Sequence, residues 1–240
     1  DTILEPMLQA LVASDDSEST RIINEDSQTA ELDETLLFDH NRATGYDLWE
    51  EGTRLTYGLR STTFWGNNNQ LRGFIGQSRR LDGDPVFAAN SGLFEDDSDF
   101  IVAGEIDLGS FDLMARTRVD AEDGTLNRID LMATYYGQRV FAQIRYFSFD
   151  DSLNRPGPSE EIQLVSQTRL TENWSVVYNV QRDMDQDVNR RQEVGFRYRD
   201  FCTDFEILYQ RENLNIGNLG PSESIQFRVT LFTLGGIGSE

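Results

Sequence analysis

The chain has 240 residues, 38% of them hydrophobic and 11% aromatic, and a formal charge of −21. All 21 basic residues are arginine, which with this acidity disfavours nucleic acid as a partner, and the aromatic content argues against disorder. A single cysteine, Cys202, excludes a disulfide within the chain, and no apolar run is long enough for a membrane-spanning helix.

Residues 4–12 read as the first strand, with Pro6, which cannot donate to a ladder, marking a bulge or a strand start. Residues 13–51 are rich in Asp and Glu and read as a solvated surface loop. Residues 52–64 alternate Leu55, Tyr57 and Leu59 against Arg54, Thr56, Gly58 and Arg60, which is the period of a strand with two unlike faces. A turn at 65–69 leads to a weaker strand at 70–79, with glycines at 73 and 76, and then to a second long polar loop at 80–97. Residues 98–108 set Phe100, Val102, Gly104 and Ile106 against Ile101, Ala103, Glu105 and Asp107. After Gly109, residues 110–120 oppose Phe111, Leu113, Ala115 and Val119 to Asp112, Met114, Arg116 and Arg118.

Glu122, Asp123 and Gly124 form a tight hairpin signal. Residues 125–135 carry Ile129, Leu131, Ala133 and Tyr135 opposite Arg128, Asp130, Met132 and Thr134, and residues 138–148 carry Val140, Ala142, Ile144 and Tyr146 opposite Phe141, Gln143, Arg145 and Phe147. A loop with Pro156, Gly157 and Pro158 precedes strands at 161–170 and 173–182. A polar loop at 183–190, strands at 191–199 and 202–212, and a loop at 213–222 lead to a final strand at 225–234. In that strand Ile225, Phe227, Val229 and Leu231 lie on one face and Gln226, Arg228 and Thr230 on the other.

About twelve strands of roughly ten residues result, the length with which a tilted strand crosses a bilayer. Longer polar loops alternate with short turns from end to end, with 120–125 as the exception among the long ones. Outer-membrane barrels sort their connections this way, with short turns in the periplasm, so the expected fold is an all-β antiparallel transmembrane barrel. One face is apolar and uncharged in mid-strand; Tyr57, Tyr135, Tyr146, Tyr178, Tyr198 and Tyr209, with Trp65 and Trp174 near short turns, suit interfacial girdles. The other face carries Arg54, Arg60, Arg116, Arg118, Arg145, Arg197, Arg199 and Arg228, expected to face the lumen. These arginines read either as charge ladders that stiffen the wall or as a passage for something anionic. His40 is the sole histidine and lies in a loop without a nucleophile elbow, and no metal-ligand spacing occurs, so no cofactor is expected and the chain reads as non-enzymatic.

The stretch Asn24-Glu-Asp-Ser27, the run from Leu37 through Asp39, His40 and Arg42 to Asp47, the run from Glu51 to Leu59, Gly76-Gln-Ser78, and the ending from Ser222 to Leu231 resemble the LptD family of outer-membrane lipopolysaccharide-assembly proteins, in its alphaproteobacterial forms and in the family's order. The resemblance implies that residues 1–240 are the C-terminal portion of a barrel of about 26 strands, a single-domain fragment lacking the first strands and an N-terminal periplasmic domain. The chain's start within strand-like residues agrees with a piece of something longer. The family inserts lipopolysaccharide into the outer leaflet, carries an LptE-type lipoprotein plug and receives its substrate from a periplasmic LptA-type bridge. Its terminal strand forms one side of a lateral gate, here Ile225, Gln226, Phe227, Arg228, Val229, Thr230 and Leu231. Cys202 falls where the family carries cysteines bonded to N-terminal ones, so the resemblance implies a disulfide to a region outside this chain, with a free thiol as the other reading. Two alternatives stay open: a general diffusion porin with residues 13–51 folded inward as a constricting loop, and a soluble β-protein with an acidic binding surface.

Overall fold

The computed structural model describes residues 1–14, 32–43, 49–66, 68–88, 91–149, 159–213 and 220–232. The Asn24 to Ser27 motif, the Pro156 to Pro158 loop and residues 233–236 lie outside them. Twelve strands follow one another: β1 Thr2–Ala13, β2 Gly52–Trp65, β3 Asn69–Asp82, β4 Phe100–Asp107, β5 Phe111–Val119, β6 Leu126–Tyr136, β7 Val140–Phe149, β8 Glu160–Arg169, β9 Trp174–Asp183, β10 Val188–Arg199, β11 Thr203–Glu212 and β12 Ser222–Leu231. They form one sheet in sequence order with β1 and β12 at its ends. The chain divides into two units, one holding β1–β4, most of β5, the start of β6 and the end of β7, the other the remainder of β6, most of β7 and the later strands.

Period-two alternation becomes two chemically distinct faces in each unit. In the first, Leu8, Val12, Leu59, Ile75, Val102, Leu113 and Leu131 are exposed; in the second, Ile144, Val194, Phe196, Ile225 and Phe227 are. Apolar area left bare on this scale marks a surface built for lipid rather than water.

Pro6 sits mid-strand and causes neither bulge nor strand start. The β1–β2 register is unbroken through Pro6 opposite Leu59. Asp1 and Phe64 exchange both backbone hydrogen bonds, and in an antiparallel pair such positions alternate along the strand. Pro6 is five residues on, so its nitrogen faces away from β2 and the missing N–H costs that ladder nothing.

Three connections differ from the sequence reading. Residues 183–190 are not a polar loop: β9 runs to Asp183 and β10 begins at Val188. The Asp183 carboxylate accepts from Gln186 N at 2.9 Å, and Asp187 takes a left-handed φ of 55°, closing a tight hairpin. Two connections on the long-loop side are therefore short, 120–125 and 184–187. Most residues there are polar, so hydrophobic alternation does not reveal the paired backbone.

The second correction concerns the long loops of the first unit. Residues 32–43 and the described residues of 84–99 are not simply solvated. Leu32 and Leu37 of the first join Phe87 and Leu93 of the second, with Phe74 of β3 and Ile101 of β4, in one buried cluster. Asp33 caps a single turn, its carboxylate accepting from Thr35 N and Leu36 N at 2.9 Å each, while Leu37 N donates to Asp33 O at 3.0 Å. Gly58 and Gly76 are register partners on this covered face. A Cβ on Gly76 would come within 2.7 Å of Leu37 Cδ2, and one on Gly58 within 3.3 Å of Phe38 Cζ. The glycines that weaken the strand pattern are the space into which the loop side chains settle.

Candidate functional site

On the covered face of the first unit, nearly every expected lumen arginine ties a loop to the wall. Arg54 donates from Nη1 to Glu50 Oε2 at 2.6 Å and from Nη2 to the carbonyls of Asp39 and His40 at 2.5 and 2.9 Å. Glu50 also receives Arg42, from Nε at 2.8 Å and through a second contact to Oε1. Arg118 meets Asp99 at 2.9 Å and donates to Ser91 O at 2.9 Å. Arg116 meets Glu34 at 2.7 Å, and Arg60 lies 3.7 Å from Glu5. Arg54 and Arg118 are only 3% exposed. Their charges are spent on carboxylates brought in by the loops, which the strand pattern alone does not pair. Burial pushes the Asp33 carboxyl up, but hydrogen bonds from Thr35 and Leu36 and the field of Arg116 outweigh it and hold it below its ordinary value.

In the second unit the register builds a charge ladder that runs to the edge of the sheet. Arg197 of β10 grips Asp204 of β11 through Nε–Oδ1 at 2.9 Å and Nη2–Oδ2 at 2.5 Å, the paired geometry that suits guanidinium and carboxylate. Arg199 lies 3.9 Å from the same carboxylate. Glu206 is the register partner of Arg197 on one side and of Arg228 on the other, and Arg228 reaches it at 3.4 Å. Arg197, Arg199 and Arg228 thus come together, whereas Arg145 of β7 is exposed and has contacts of its own. Gly195 makes room for Leu208, the one large aliphatic group on this polar row.

β12 pairs only with β11, from Thr203 opposite Leu231 to Glu212 opposite Ser222. All its residues are exposed. Ile225, Phe227, Val229 and Leu231 form an aliphatic and aromatic row, with Gln226, Arg228 and Thr230 on the other face. Its outer rim of N–H and C=O groups is open, the condition in which a strand recruits another.

Cys202 is exposed in the turn between β10 and β11. Asp200 shapes that turn, accepting from Cys202 N and Thr203 N at 2.8 Å each and from the Tyr198 hydroxyl at 2.9 Å. The Cys202 N–H, and then the Tyr198 hydroxyl, hold the Asp200 carboxyl below its ordinary value. His40 is exposed beside Asp39 at 3.7 Å and Trp49. Among the described residues no group of three or more His, Cys, Asp or Glu side chains is arranged to hold a metal ion.

Glu34, Glu50 and Asp99 complete the covered face and carry no sequence motif of their own, while Arg42 enters the sequence reading only within the run that resembles the family. Their signal was the apolar residues scattered through otherwise polar loops, Leu32, Leu37, Phe87 and Leu93.

The chain is 23% identical over 227 residues to the LPS-assembly protein LptD of Acinetobacter baumannii, an alignment covering 90% of this chain and 28% of that protein. The chain therefore spans little more than a quarter of the length of this curated relative. The family model described as LptD, LPS transport system D, matches residues 2–180, well over half of the chain. With its all-antiparallel sheet, bare apolar face and charged opposite face, the chain belongs to the LptD family.

Proposed function

We propose that this chain is the C-terminal portion of an outer-membrane barrel that inserts lipopolysaccharide into the outer leaflet, with β12 as one side of a lateral gate. The observation that carries this reading is the terminal strand itself: a bare apolar row, an arginine-bearing polar row, and a rim with no partner. An edge of that kind is a liability in a finished fold. It makes sense as a seam whose other lip is an early strand of the full protein, where pairing can be made and broken beside lipid. The same reading assigns the full protein an LptE-type lipoprotein plug and an LptA-type periplasmic bridge, with no enzymatic step. It places the first strands and a periplasmic domain outside these 240 residues. Cys202, exposed on a short turn, would then be available to a thiol elsewhere in the full protein, since the periplasm is oxidising. Family membership weighs against a general diffusion porin.

The test is site-specific photocrosslinking in the full-length parent protein. Probes at Gln226, Arg228 or Thr230 are expected to capture lipopolysaccharide or the plug lipoprotein, and probes at Phe227 or Val229 to report the opposite face. Adducts from neither row, in a protein that still inserts, would remove the gate assignment.

A further inference from the structure

Most arginines among the described residues meet a carboxylate. Among the described residues, those not yet mentioned also meet carboxylates: Arg72 reaches Glu105, Arg79 reaches Asp97, Arg182 reaches Asp187, Arg190 reaches Glu161, Arg191 reaches Glu193 and Arg211 reaches Glu223. Arg80 reaches Asp96 and Arg128 approaches Asp130. Arg139 and Arg169 have no side-chain partner among the described residues, and they are neighbours. Arg169 N donates to Arg139 O at 2.7 Å, so the two stand side by side where β7 begins and β8 ends. Like charges placed together across a sheet are destabilising unless something offsets them.

They flank a cleft of about 580 Å³ at the short-turn end, lined also by Gln138, Leu170, Thr171 and Glu172. The cleft is rich in donors that no described side chain uses. The Gln138 amide makes no side-chain hydrogen bond among the described residues. The Thr171 oxygen accepts from Asn173 N at 3.3 Å and Trp174 N at 3.0 Å, which leaves its hydroxyl proton to be given. Leu170 is 55% exposed beside them and offers apolar contact. Glu172 is the one acid in the lining and pairs with neither guanidinium, so the cleft carries a net single positive charge.

We propose that Arg139 and Arg169 form a receiving site for a phosphate group of an anionic glycolipid arriving at the short-turn end. This rests on the translocon reading above. Two guanidinium forks can each present two donors to phosphate oxygens. The side-chain amide and the hydroxyl extend the same donor set, and Leu170 takes the edge of the apolar part. Glu172 keeps the site from holding its guest too strongly, as a transfer station requires.

The test uses the full-length parent protein in detergent, titrated separately with purified lipopolysaccharide and with inorganic phosphate. R139Q/R169Q is expected to weaken lipopolysaccharide binding about tenfold or more, the scale of lost charge-assisted hydrogen bonds. R139K/R169K, which keeps charge without the fork, should recover part of that loss and serves as the informative variant if the glutamine pair fails to fold. Retention of the heat-sensitive folded band on gels checks folding in each case. Unchanged lipopolysaccharide binding in a folded R139Q/R169Q protein overturns the site while leaving the translocon reading intact. A wild-type protein that binds no lipopolysaccharide overturns both. Inorganic phosphate binding as tightly as lipopolysaccharide would make this a general anion site and overturn the lipid assignment.

Discussion

Glu50 shows what a single side chain controls here. It lies between Arg42 and Arg54, with side chains 9%, 4% and 4% exposed. One carboxylate thus serves two buried guanidinium groups, and Arg42 also stands over the Phe87 ring at 5.9 Å, linking the first loop to the second. Removing the charge leaves both cations without a counterion, and breaking a buried pair from one side costs about 3–5 kcal/mol. Glu50→Gln is therefore expected to release residues 32–43 from the wall, read as faster protease cleavage there and a lower unfolding temperature. Glu5→Gln makes the contrast. Its ion pair with Arg60 is half-exposed at 3.7 Å, and such pairs are worth about 0–1 kcal/mol, so that variant should be nearly silent. Equal effects from the two would mean that the buried triad does not hold the loop.

At the scale of the element, the covered face depends on an absence of side chain. Gly76→Val puts a branched group where Leu37 Cδ2 and Phe74 Cζ already stand within 2.7 Å of the Cβ position. Overpacking costs about 1–3 kcal/mol, while valine itself suits a strand. The expected result is faster amide exchange at Leu37 and its neighbours with β2–β3 exchange unchanged; loss of both would show that the wall, not the docking, had failed. This division matches what the sequence made legible. Strands with one apolar face were readable from alternation alone, as in Leu55, Tyr57 and Leu59 against Arg54 and Thr56. The last residue of β9 and the start of β10 were not, because Asp183, Asn189 and Arg190 are polar and pair through backbone that hydropathy does not record. Docking of 32–43 was hidden for another reason: Leu32 and Leu37 have no strand period, and the glycines that receive them look like defects. Pro6 misled because its cost depends on which way one nitrogen faces. Of the candidate site, the arginine positions were legible and their carboxylate partners were not, since Glu34, Glu50 and Asp99 reach them through tertiary folding.

Across the whole molecule, a chain of net charge −21 gives most of its described arginines a carboxylate partner. The ladder of Arg197, Asp204, Glu206 and Arg228 carries that neutralisation to the exposed edge, where Arg228 remains 73% exposed while pairing with Glu206. A wall stiffener and a contact for a passing anion make opposite demands on this pair. If the pair only stiffens the wall, Arg228→Gln and Glu206→Gln break the same 3.4 Å contact and must act alike. If Arg228 meets the anionic substrate, losing it slows delivery, whereas losing Glu206 frees the guanidinium and does not. Neither change threatens the fold, because an ion pair this exposed is worth about 1 kcal/mol or less. The expected outcome in cells carrying the full-length variants is slower appearance of newly made lipopolysaccharide at the surface for Arg228→Gln, and a rate at or above wild type for Glu206→Gln. Surface labelling of lipopolysaccharide after a pulse measures it. Equal slowing in both would confine Arg228 to the wall and leave the gate without its anionic contact.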